Sequence, residues 1–469
     1  MKRRLTFMIA LMLMLVLMLS SCVSVYFLSQ LAGSEKVETA EQALEKISET
    51  MSSVFSFRQE RTVDITASVA SNELRIVGNG LIVAMYGIDR MSYYYDEDEM
   101  IMGYGGEDIS VKTTLTFDDG KLFFVGREGK EEKRFYSTCT NAEFNDFFEN
   151  ASKSGSSITE GYSNGSLTET TSGGYNVILK NYDEETINTL NAAYGFPYEE
   201  NGGKITDITV TMTTDSSLLL NQIAVDFSFS DASFSGRQTL VYSQYNSARK
   251  ITDIIPLESY TEVGDVRAIM LYSSLISQEQ SKDSNSFLFS MTQRVTAAGN
   301  TTQNVEIDEV RFGNENGSYY FSIKSDIDGQ KSNATYRDGE YRINGVLESG
   351  DYSDYEAKAF IDGLIEPFSI SFLDVGTVIS SPTEKGTLYT FKIDSLDMQF
   401  YLKELIESAN MHYIRATMTV EMLVKDYELV SLRYIIDGQG SISVSSSVRY
   451  DATLKFDVTV SYDSSKPDL

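Results

Sequence analysis

The chain has 469 residues, with 39 basic against 68 acidic side chains and a formal net charge of −29. A surface of that sign repels nucleic acid and anionic lipid headgroups, so no nucleic-acid partner is expected. With 42% hydrophobic residues, 25 Phe and 29 Tyr, the body is too apolar to be a disordered acidic tail and is expected to fold.

The chain opens on MKRR, a basic n-region, followed by the apolar block LTFMIALMLMLVLML, so residues 1–21 read as a signal peptide. At 1.5 Å per residue the block alone falls short of a hydrocarbon layer about 30 Å thick. Leu19-Ser20-Ser21-Cys22 comes next and resembles the lipobox of bacterial lipoproteins, which implies acylation of Cys22. The following VSVYFL is apolar and leaves a second possibility, an uncleaved membrane helix from Leu5 to Leu28, while a soluble cleaved product is a third. Residues 22–33 form the linker or anchor. In both anchored cases Lys2, Arg3 and Arg4 hold the front end in the cytoplasm, which puts the body on the extracytoplasmic side of the cell membrane.

The body begins with TAEQALEKISETM, where Thr39 and Gln42 form a capping box and Leu44, Ile47 and Met51 share one helix stripe. Strand patterns follow. The acidic run Asp96-Glu97-Asp98-Glu99 reads as a solvated hairpin tip; it fails the EF-hand spacing, and Asp96 and Asp98 are the residues that would hold a divalent ion if one bound. Ile109, Val111, Leu115 and Phe117 then alternate with polar residues, the period of an antiparallel strand with one solvated face. Asn79-Gly80, Asp119-Gly120, Asn164-Gly165, Asn316-Gly317, Asp328-Gly329, Asp338-Gly339 and Asp437-Gly438 read as hairpin turns. Phe144, Phe147 and Phe148 line a short helix after Thr140, and Phe360 and Leu364 line another after Ser353.

The body also matches itself in order. Phe55-Ser56-Phe57 recurs as Phe287-Leu288-Phe289, Ser92-Tyr93-Tyr94-Tyr95 as Ser318-Tyr319-Tyr320-Phe321, Asp119-Gly120 as Asp338-Gly339, and Thr140-x-x-Glu143 as Ser353-x-x-Glu356. The separation of the partners shrinks steadily along the chain, as two copies differing by short deletions require. With Pro256 interrupting the strand pattern, the expected domains are residues 34–255 and 256–469. The expected fold class is α+β, mostly β: two tandem domains, each a curved antiparallel sheet packed on a few short helices.

The helix–strand order and the shared turn in TFDDGKLFF and TYRDGEYRI resemble the LolA/LolB and LppX group. That resemblance implies a hydrophobic cup for a lipid or acyl chain between sheet and helices. Ile109, Val111, Leu115, Phe117, Phe144 and Phe148 are the residues expected to line it in the first copy. The alternative from another class is a non-catalytic envelope structural or interaction module, docking an envelope protein.

Catalysis is not expected. His412 is the sole histidine, so Ser-His-Asp and Cys-His schemes would both have to pass through it. Cys139 reads as a small buried residue before a helix, there is no phosphate loop or nucleotide fingerprint, and the count of Cys and His rules out zinc sites of the usual kind. No cofactor is expected. A carboxylate-dependent hydrolase would need two converging acids, which the sequence does not single out.

Overall fold

The computed structural model describes residues 37–462, apart from 70–71, 87–90, 103–107, 154–157, 195–202, 252–255, 283, 316–317, 349, 351, 409–410 and 446–447. Cys22, the anchor alternatives and the Asn316-Gly317 turn therefore lie outside the described residues. Among those residues no helix is long and apolar enough to cross a membrane.

The chain divides into two units, Met1–Glu262 and Val263–Leu469. In the first, helix α1 (Ala40–Ser52) precedes β1 (Ser56–Val69), β2 (Asn72–Met85), β3 (Ser92–Met102), β4 (Ile109–Asp118), β5 (Lys121–Glu128) and β6 (Glu131–Thr138). Then come α2 (Asn141–Lys153), β7 (Tyr162–Glu169), β8 (Tyr175–Tyr182), α3 (Glu184–Tyr194), β9 (Ile205–Thr214), β10 (Leu220–Phe229), β11 (Ser235–Ser243) and the short β12 (Thr261–Glu262).

The second unit runs α4 (Val266–Ser281), β13 (Ser284–Ala297), β14 (Asn300–Glu315), β15 (Ser318–Ile327), β16 (Gln330–Arg337), β17 (Glu340–Ile343) and β18 (Val346–Leu347). It continues with α5 (Asp354–Ile365), β19 (Val375–Thr383), β20 (Gly386–Ile393), α6 (Leu396–Ser408), β21 (His412–Lys425), β22 (Glu428–Ser445) and β23 (Val448–Ser461). Apart from β12, both units follow one order: helix, six strands, helix, two strands, helix, three strands.

Each unit is built on one large sheet. The first has 12 strands in the order β12-β6-β5-β4-β3-β2-β1-β11-β10-β9-β8-β7, and the second has 11 in the order β18-β17-β16-β15-β14-β13-β23-β22-β21-β20-β19. This corrects the expected fold of two small domains resting on helices. The physical reason is non-local. Within each unit two antiparallel meanders fuse where the first strand pairs with the last, Arg61 opposite Leu240 on β1 and β11, and Met291 opposite Val458 on β13 and β23. No local pattern announces a pairing over such a separation, and it turns two modest sheets into one wide one.

Two of the three caps read from the sequence form in full, while the Thr39 box is half made, because Gln42 Oε1 accepts from the Glu38 N–H instead of that of Thr39. Thr39 Oγ1 accepts the Gln42 N–H at 3.2 Å, and Thr140/Glu143 and Ser353/Glu356 make reciprocal capping boxes. Helix α5 buries Ala357, Ile361 and Ile365, whereas Phe360 stays 49% exposed, so its apolar stripe is rotated from the one expected.

The Asn-Gly and Asp-Gly pairs separate into two kinds. Asp119-Gly120, Asp328-Gly329 and Asp338-Gly339 have both φ angles positive and close tight hairpins. Asn79-Gly80, Asn164-Gly165 and Asp437-Gly438 instead lie inside strands. There the glycine admits a close neighbour: a Cβ on Gly165 would lie 2.9 Å from Ala40 Cβ of α1, and one on Gly438 would lie 2.7 Å from Ile406 Cδ1 of α6. Gly80 admits a side chain from the next strand.

Candidate functional site

On β1 every second residue faces inward: Phe57, Gln59, Arg61, Val63, Ile65 and Ala67 are all buried. Four of these six are the apolar residues such a face requires; Arg61 and Gln59 are not. The inward parity of β3 likewise presents Tyr93, Tyr95, Glu97, Glu99 and Ile101. The acidic run is therefore not a hairpin tip but the middle of a strand, and the period of two splits it between faces. Asp96 turns outward to Lys112 Nζ at 3.0 Å and Thr114 Oγ1 at 2.7 Å, and Asp98 outward to Arg127 at 3.9 Å, so neither is aimed at a shared ion. No group of metal ligands occurs among the described residues.

Glu97 and Glu99 turn inward, where Arg61 meets them. In the register of the sheet Arg61 is opposite Gly80, which is opposite Glu97; Val63 is opposite Gly78, which is opposite Glu99. Strands β1 and β3 are two spacings apart, about 9.6 Å, and the strand between them carries no side chain at either position. A Cβ on Gly78 would lie 2.8 Å from Glu99 Cγ and 3.1 Å from Val63 Cγ1, and one on Gly80 3.4 Å from Arg61 Cβ. The bare strip lets the guanidinium lie across β2.

Arg61 Nη1 pairs with Glu99 Oε1 at 3.2 Å and also with Glu97, and the Tyr95 hydroxyl donates to Glu97 Oε2. Arg61 is 5% exposed and both glutamates 3%. Burial pushes the Glu99 carboxyl up, against the downward pull of Arg61, and burial also drives the Tyr95 phenol far up. Tyr95 is thus a fixed hydrogen-bond donor. Arg61 Nε and Nη2 and Gln59 Oε1 are buried and make no hydrogen bond. Orphaned donors on a buried cation are destabilising, by about 1–3 kcal/mol for a neutral group and more for a charged one.

The same row in the second unit shows that the fold does not require these charges. Tyr95 faces Ile82 as Phe321 faces Phe312, and one step along each sheet the row Arg61, Gly80, Glu97 becomes Phe287, Val310, Ile323, all three buried. An apolar row fills that place without desolvating an ion, and replacing buried ion pairs by packed hydrophobics is often neutral or stabilising. The next row along is polar in both units: Val63, Gly78 and Glu99 correspond to Phe289, Asp308 and Ser325, and Asp308 is buried with Oδ1 making no hydrogen bond. A further polar centre of the second unit lies apart from it, where Tyr272 donates to Glu366 at 2.9 Å and meets the Tyr434 hydroxyl at 3.1 Å.

The residues expected to line a cup are brought together, but as a packed core. Val111, Leu115, Phe117 and Phe144 are buried, Phe117 stacks on Phe144 with centroids 4.4 Å apart, and Phe148 lies 5.0 Å from Tyr93; Ile109 is half-buried at the end of β4. Cys139 is buried before α2, and His412, exposed at the start of β21, bonds Ser443 Oγ at 3.0 Å, so neither joins the ionic centre. Sequence reasoning missed Arg61, Glu97 and Glu99. The available signal was a pair of glycines two apart, Gly78 and Gly80, inside a strand pattern.

No family model matches the chain. No curated protein matches it either. Among solved structures, a Bacteroides fragilis protein described as an outer-membrane protein is 8% identical, with 88% of this chain and 98% of that one covered and a TM-score of 0.18. A porin-like protein from Bacteroides uniformis is 9% identical over 86% and 95%, at 0.11, and OprD of Pseudomonas aeruginosa is 6% identical over 86% and 94%, at 0.13. TM-scores this small transfer neither fold nor function to this chain. The three structures described are outer-membrane or porin-like proteins and not of the LolA/LolB and LppX group, and the resemblance drawn from element order is withdrawn. With it go the lipid cup and the alternative of an envelope docking module.

Proposed function

We propose that this is a non-catalytic binding protein of the cell envelope whose first unit takes a small polar solute at the Arg61, Glu97 and Glu99 centre. One observation carries the reading: a buried guanidinium with Nε and Nη2 unpaired lies over a strip cleared by Gly78 and Gly80, and the second unit has the apolar Phe287, Val310 and Ile323 in the row that holds it. Charged groups kept dry and incompletely paired destabilise a fold, and functional sites are where such groups persist. The envelope location is supported by MKRR, the apolar block and Cys22. Attachment through a lipid on Cys22 is part of the proposal, and Cys22→Ala tests it: labelled fatty acid disappears from the protein, whereas equal labelling of both forms would overturn it.

For the binding function, the full chain purified under mild conditions is examined by native mass spectrometry. It is then screened by thermal denaturation against charged and neutral solutes, beside Arg61→Lys. A solute that raises the melting temperature of the parent but not of Arg61→Lys is the expected result. Equal responses in both proteins would place binding elsewhere and overturn the reading.

A further inference from the structure

We infer that the solute is a small zwitterion of the amino-acid kind, its carboxylate received on the Nε–Nη2 edge of Arg61 and its ammonium by Glu97 and Glu99. The inference rests on the reading of this centre as a binding site. Its ground is how three arginines of the chain hold carboxylates. Arg75 holds Asp64 through Nε at 3.0 Å and Nη2 at 2.8 Å; Arg267 holds Asp265 at 2.9 and 2.8 Å; Arg433 holds Asp457 at 2.8 Å through both nitrogens. In each case the side-on edge of the fork takes both oxygens of one carboxylate, the geometry that planar guanidinium favours. At Arg61 that edge makes no hydrogen bond: Nη1 donates to Glu99 Oε1 at 3.2 Å, and Glu97 Oε1 is buried with no hydrogen bond of its own.

Charge decides what completes the centre. One guanidinium faces two carboxyl groups, so a simple anion would enter a site that already holds more acid than base. A simple cation would be welcome to the glutamates but would leave the Arg61 edge unpaired. A molecule with a carboxylate at one end and an ammonium at the other meets both demands at once, and in a dry site each unmet demand is heavily penalised. Gln59 Oε1, on the same face two residues along β1, is a further acceptor for a donor on the solute.

The test is isothermal titration of the full chain with free α-amino acids, their carboxamides, which lack the carboxylate, and their N-acetyl derivatives, which lack the ammonium. The expected result is that at least one amino acid binds and that both of its derivatives bind about a hundred-fold more weakly. Arg61→Lys, which keeps the charge without the fork, should lose the preference for acid over carboxamide; Arg61→Met should lose binding, with circular dichroism checking its fold. Derivatives that bind as well as the parent, still in an Arg61-dependent way, would overturn the zwitterion and leave the binding site standing. No binding by any probe, with no polar solute retained by the purified protein, would overturn both.

Discussion

The two units run the same elements in the same order, yet they fill one equivalent row of the inward face in opposite ways. Arg61, Gly80 and Glu97 stand where the second sheet has Phe287, Val310 and Ile323. The second row is what burial alone would select, since each large apolar side chain contributes about 1.5–3 kcal/mol when fully buried. The first does without a side chain on β2 and dehydrates two charged groups, and in the next row Gly78 and Glu99 stand where the second unit has Asp308 and Ser325. The contrast separates what the scaffold needs from what the first unit adds.

The strongest way to break the comparison is to remove one partner. Arg61→Met leaves Glu97 and Glu99 uncompensated, and a loss of about 3–5 kcal/mol is expected in equilibrium urea unfolding. Transplanting the second unit's row, Arg61→Phe, Gly80→Val and Glu97→Ile, together with Glu99→Ser from the next row, should behave differently and lie within about 2 kcal/mol of the parent. Next in size is Gly78→Ala. Its Cβ meets Glu99 Cγ at 2.8 Å, so displacement of that carboxyl should lower stability by about 1–3 kcal/mol, read from the same unfolding curves.

Smaller effects sharpen the electrostatics. Burial raises the folded-state pKa of Glu99 above its unfolded value. Its contribution to stability is then fully present below the unfolded value, in the ordinary carboxylate range, and is lost as pH rises through the folded value. Glu99→Gln should flatten the decline of melting temperature with rising pH. Asp457 has the reverse sign, because the hydrogen bond from Arg433 holds it below the usual range. Its contribution is present above the unfolded value and is lost as pH falls through the folded one, so Asp457→Asn should flatten the acid limb instead. The smallest change is expected from Asp98→Asn, an exposed side chain 3.9 Å from Arg127, within about 0.5 kcal/mol.

The antiparallel character, the caps at Thr39, Thr140 and Ser353, and the turns at Asp119-Gly120 and Asp338-Gly339 were legible because each is set by a few adjacent residues. The pairing of β1 with β11 was not, since the partners are far apart in the chain and nothing local selects them. The match of Phe55-Ser56-Phe57 to Phe287-Leu288-Phe289 shows the same limit: in strand register Phe287 takes the place of Arg61. The site was hidden for a related reason. Asp96-Glu97-Asp98-Glu99 looks like one solvated run until a strand divides it between two faces, and Asn79-Gly80 looks like a turn until Arg61 is seen lying over the glycine.

The central claim is that the ionic row serves binding and not the fold. Titration of the parent and of the four-residue transplant with a free amino acid, each beside its urea unfolding curve, tests it most directly. The account predicts that the parent binds, and that the transplant keeps its stability within about 2 kcal/mol while losing binding. A transplant that binds as the parent does, or that loses as much stability as Arg61→Met, would contradict it.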